Sequence, residues 1–178
     1  MRASEIQTGY IGLVHHPDTK TLDDLAEEVI AELTKGRDFY HVMWFVRLPD
    51  GSIQVREMVQ PEYRVVTLEQ RLADLDGELC IGTMPWVVAG QPEKLMEFFA
   101  DFDAHPEWHP YGNESLLPTG ISSDFDIQID PLKEQPVCSL LIERGVLFIE
   151  QGDIDRLWSP NDCAAHCDQI EPFERGVA

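Results

Sequence analysis

The chain is 178 residues and 20.3 kDa, enough for one compact domain with a full core and short for two. Its 43% apolar and 26% charged residues exclude wholesale disorder. Lys and Arg number 13 against 33 Asp and Glu, a formal charge of −20. Such a surface repels phosphate backbones and anionic headgroups, so it argues against nucleic acid and membrane surfaces, and solubility or a cationic partner accounts for it.

No run of about 18 apolar residues is present, so no membrane-spanning helix is expected. The opening Met1 to Gln7 lacks the apolar run of a secretory signal. A reducing, cytoplasmic residence is the expectation, and a phage particle is compatible with the same features. The four cysteines, Cys80, Cys138, Cys163 and Cys167, are irregularly spaced and are expected as free thiols.

In chain order, residues 9–15 predict a short buried strand. Thr21 opens a helix with acids in its first turn; Leu22, Leu25, Ala26, Val29, Ile30 and Leu33 follow at helical spacing, and Gly36 ends it. Segments 39–48 and 52–59, joined by Pro49-Asp50-Gly51, predict a β-hairpin. A short helix is expected at 67–75 from Thr67, a strand at 78–83, and a helix at 91–103 with a stripe of Leu95, Met96, Phe98, Phe99 and Phe102. Residues 104–135, with four prolines and two glycines, predict a long irregular stretch with a short extended piece at 124–129. An apolar helix follows from Val137 to Phe148, entered through Pro136. Ser159-Pro160-Asn161-Asp162 marks an N-cap and a helix to about 168, and the last ten residues are expected as a tail. One α+β domain accounts for the whole.

Cys138 falls at the start of its helix. There the helix dipole and free N–H groups stabilise thiolate and can hold a developing oxyanion. His41 lies early in an apolar strand. With Gly51 in the left-handed position of a three-residue loop, facing residues have numbers summing to 100, so Met43 faces Glu57. His41 then shares a sheet face with Glu57, one diagonal step away, where a carboxylate can orient an imidazole toward a thiol. A two-residue loop would put the two side chains on opposite faces.

The His105–His109 pair is flanked by Pro106 and Pro110, which break the helix that zinc-binding spacing needs. A substrate-lining loop, with Trp108 and Tyr111 as flat contact surfaces, is the better functional reading there, and plain loop packing the better one overall. Cys163, His166 and Cys167 bunch together without a second ligand pair, and packing of a small helix is preferred to zinc. His15-His16 is read as a strand exit. No cofactor is called for.

The ordered segments Gly-Tyr-Ile-Gly-Leu-Val, Tyr-His-Val-Met-Trp-Phe-Val, Val-Arg-Glu-Met-Val-Gln-Pro, Val-Cys-Ser-Leu-Leu-Ile and Trp-Ser-Pro-Asn-Asp, with Val66-Thr67-Leu68, span roughly residues 9–168. Together they resemble the circularly permuted papain-like superfamily of NlpC type, the YiiX-like branch in particular. That resemblance implies a permuted papain-like fold: an antiparallel sheet, a partly open barrel, packed against a helix carrying the cysteine at its N-terminus. It also implies Cys138 as nucleophile, His41 as general base and acid, and Glu57 as the residue orienting His41. Tyr40 stands where the family has a small residue, and with Trp108 and Tyr111 it makes the expected substrate-contacting set. The implied activity is acyl transfer on a peptide or amide, cell-wall peptides included, with a cationic substrate suiting the acidity. The competing expectation is a catalytically degenerate papain-like module used for assembly or protein interaction, such as a virion component or an immunity-type protein.

Overall fold

A computed structural model describes residues 1–15, 39–85, 91–110, 138–150 and 158–175. The elements are β1 (Ile11–His15), β2 (His41–Arg47), β3 (Ile53–Val59), β4 (Glu62–Thr67), α1 (Leu68–Asp74), β5 (Glu78–Thr83), α2 (Pro92–Asp103), α3 (Cys138–Glu150), α4 (Pro160–Ala165) and β6 (Gln169–Pro172). The strands form one open antiparallel sheet in the order β4-β3-β2-β1-β5-β6, so the chain is α+β. The helix expected from Thr21, the extended piece at 124–129, Pro136, Val137, His16 and Tyr111 lie outside the described residues.

The β2–β3 hairpin follows from its turn. Gly51 takes φ +86°, and Leu48 N–H donates to Ser52 O at 2.9 Å, closing a three-residue loop. Trp44 then faces Arg56 and Phe45 faces Val55, the register in which paired numbers sum to 100.

Both faces of the sheet are covered, which is why six successive residues of β2 are buried instead of alternating ones. On one face Val42, Trp44 and Val46 meet α2 and α3 through Phe99, Leu141, Ile142 and Val146. On the other, Met43, Phe45, Ile53, Val55, Leu79 and Ile81 pack with Ile6 and Leu68. The second layer is dense: a Cβ on Gly12 would sit 2.7 Å from Met43 Cγ. On the first face Gly145 lets α3 approach closely, since a Cβ there would lie 3.1 Å from Trp44 Cζ2. Trp44 Nε1–H donates to Leu141 O at 3.3 Å, fixing α3 along β2.

Caps set the helix starts. Thr67 Oγ1 accepts from Gln70 N–H at 3.1 Å while Gln70 Oε1 accepts from Thr67 N–H at 2.9 Å. Ser159 and Asp162 repeat this at α4, with Pro160 in the first turn.

Several boundaries differ from expectation. The first strand starts at Ile11, the third helix runs on to Glu150, and the last helix stops at Ala165. Met96 leaves the apolar stripe of α2 and is 38% exposed, because the helix packs on one side only. Residues 169–172 are not tail but an edge strand: their backbone pairs with β5 although every side chain is exposed. Strand β4 was not anticipated.

Candidate functional site

His41 is the first residue of β2, and its ring reaches Glu57 one diagonal step away on β3: Nε2 lies 2.6 Å from Oε2. Both side chains are buried, Glu57 completely. Cys138, the first residue of α3, acts on the same ring: hydrogen bonding and charge from its thiol are among the causes that raise the imidazole. With Nε2 committed to the carboxylate, Nδ1 is the nitrogen left for sulfur. His41, Glu57 and Cys138, nearly a hundred residues apart at the extremes, are thus brought together.

The meeting point is the end of the sheet. Cys138 belongs to the layer of Trp44 and Leu141, whereas Glu57, two residues along β3 from Val55, shares the sheet face of Val55 and its partner Phe45, which belong to the opposite layer. His41, at the strand's start, joins the two.

Glu57 carries more than His41. Arg64 of β4 reaches Oε1 through Nε and Nη2, both at 2.8 Å. Arg71 of α1 sits astride the carboxylate, its Nε 2.9 Å from Oε1 and 3.0 Å from Oε2. Burial alone would raise the Glu57 carboxyl; the His41 hydrogen bond and the charges of His41, Arg71 and Arg64 overturn this and hold it at about 2. Burial likewise pulls the His41 imidazole down. Its hydrogen bonds to Cys138 and Glu57, with the charges of the same two groups, lift it to about 9.

The other thiols are placed differently. Cys163 is fully buried and pushed well up by desolvation, and Cys167 is pushed up to about 12 by the same cause. Cys80 is raised by burial and then by Glu78.

Tyr40 is half-buried beside His41, ring centroids 6.5 Å apart, and its hydroxyl donates to Asp76 O at 2.5 Å. Trp108 instead packs at the C-terminal end of α2, stacked on His105 at 4.2 Å and against Phe102. His105 Nδ1 and His109 Nε2 pair with the carbonyls of Asp101 and Phe102, at 2.8 Å and 3.1 Å. His166 stacks on Trp158, and Cys167 Sγ–H donates to Cys163 O. His15 packs on Phe39. Among the described residues no group of three His, Cys, Asp or Glu side chains is arranged to hold a metal ion. None of the helices described is long and apolar enough to cross a membrane.

Sequence reasoning missed Arg64 and Arg71, and also Asn161. The Asn161 amide takes Phe39 N–H and donates to Phe39 O, each at 3.3 Å, pinning the chain two residues before His41. Only the register signalled Arg64, which faces Glu57 directly across β3–β4.

Neither family models nor curated proteins give a match to this chain.

Proposed function

We propose that the chain is a cysteine-dependent acyl-transfer hydrolase of peptidase or amidase type, built on a permuted papain-like fold. The observation carrying this reading is the buried 2.6 Å contact between His41 and Glu57, on an imidazole that the Cys138 thiol also raises. His41 takes the thiol proton of Cys138, and the ionised Glu57 stabilises the imidazolium that results. The thiolate attacks an amide carbonyl, and N–H groups at the start of α3 hold the oxyanion. His41 then gives its proton to the leaving amine, and water releases the acyl group from sulfur. Tyr40 stands next to the thiol's base and is the nearest candidate for substrate contact. A net charge of −20 suits a cationic peptide.

Iodoacetamide at neutral pH tests this directly. Cys138 should alkylate far faster than Cys80, Cys163 or Cys167, and His41→Ala should abolish the difference. An acyl-reactive probe should map to Cys138. Equal labelling of the four thiols would favour the second reading, a non-catalytic papain-like module for assembly or protein interaction, to which the 7% exposure of Cys138 lends support.

A further inference from the structure

We propose that Arg71 is the positioning residue of this site, straddling Glu57 from α1 so that the oxygen it shares with His41 points at the imidazole. The proposal rests on the hydrolase reading and adds the group that aims its orienting carboxylate.

A glutamate carboxylate has three side-chain torsions to lose before it can hold a ring in one direction. Arg71 removes that freedom. Its Nε contacts both oxygens, including Oε2, the one bound to His41. Arg64 contacts Oε1 only, from a side chain 32% exposed on edge strand β4, whereas the Arg71 side chain is 9% exposed. Arg71 is itself fixed by the backbone. The α1 N-cap, Thr67, is also the last residue of β4 and faces Gln54 of β3, so the helix start is locked to the strand bearing Glu57. Among the described residues, the charged or titratable groups facing this pair are Arg64 from β4, Arg71 from α1, Cys138 from α3 and the phenol of Tyr40, next to His41 in the chain.

Three variants separate aim from charge: Arg71→Met, Arg71→Lys and Arg64→Met, each read by the NMR titration of the His41 ring and by the pH profile of Cys138 alkylation. In Arg71→Met the lost cation moves the His41 titration to higher pH, and the loosened carboxylate slows alkylation on the order of ten-fold. Arg71→Lys restores the charge and returns the titration toward that of the unaltered protein. The rate stays low, because a compact ammonium on a flexible stem does not reproduce the planar guanidinium. Arg64→Met gives the smaller shift, since an exposed cation is screened.

A folded Arg71→Met with unaltered titration and rate overturns the proposal, as does an effect of Arg64→Met as large as that of Arg71→Met. Should Arg71→Met fail to fold, Arg71→Lys decides: full alkylation speed there overturns it. If Cys138 of the unaltered protein labels no faster than Cys80, the hydrolase reading fails, while the His41 titration still reports whether Arg71 acts on His41 through Glu57.

Discussion

Glu57 Oε2 receives both His41 Nε2 at 2.6 Å and Arg71 Nε at 3.0 Å, so one buried oxygen sets the direction of the imidazole. The opposite oxygen faces Arg64. A single carboxylate thus serves three basic side chains from β2, β4 and α1.

Glu57→Gln keeps the shape and removes the charge. Two arginines and an imidazole then lose their counterion in a buried setting, at a cost of about 3–5 kcal/mol. Urea unfolding should show that loss, and Cys138 alkylation should slow on the order of a hundred-fold. A variant as stable as the parent would contradict the burial described for Glu57.

The two shifted groups predict a stability maximum on the acid side of neutrality. The Glu57 contribution is whole above the carboxyl's ordinary 4.5 and is lost as pH falls toward about 2. The His41 contribution is whole below the imidazole's ordinary 6.5 and is lost as pH rises through about 9. Urea midpoints should therefore peak between these ordinary values. His41→Asn should flatten the alkaline limb, and Glu57→Gln the acid limb.

A Cβ on Gly145 of α3 would already lie 3.1 Å from Trp44 Cζ2 of β2, so Gly145→Val pushes a branched side chain into the indole. Overpacking of this kind costs about 1–3 kcal/mol. Because Cys138 lies on the same helix, a displacement of α3 should lower the alkylation preference of Cys138 in protein that remains folded. Near-ultraviolet dichroism, taken as the difference from a Trp44→Phe reference because the chain has four tryptophans, reports the displacement.

Asn161→Ala removes both contacts to the Phe39 backbone, a loss of about 1–2 kcal/mol. Amide exchange at Phe39 should quicken while that at Val55 on β3 stays slow. Equal protection before and after would show that the chain entering β2 is held by other means.

The parts of the site that were readable from sequence are those encoded by local chemistry. Pro49-Asp50-Gly51 specifies its loop because Gly51 accepts φ +86°, and that loop alone puts His41 diagonal to Glu57. Ser159-Pro160 and Thr67 announce helix starts by the same kind of local bonding. Strand β6 has no such signature, since its four side chains are all exposed and only backbone pairing makes it a strand. Strand β4 lacks a clean apolar alternation: it buries only Tyr63 and leaves Val65 40% exposed. The arginines around Glu57 were illegible for another reason: an Arg seven or fourteen residues downstream of a Glu becomes its partner only through the β3–β4 turn and the α1 docking.

The seam between the two apolar layers has a consequence for how this protein fails. The sulfur rides with one layer and the carboxylate with the other, and the imidazole at the rim of the sheet interacts with both. Loosening either layer parts the chemical groups while the strands are still zipped together. Thiol reactivity should therefore vanish before the far-ultraviolet signal does on warming, making the cysteine an early alarm for softening of the interior.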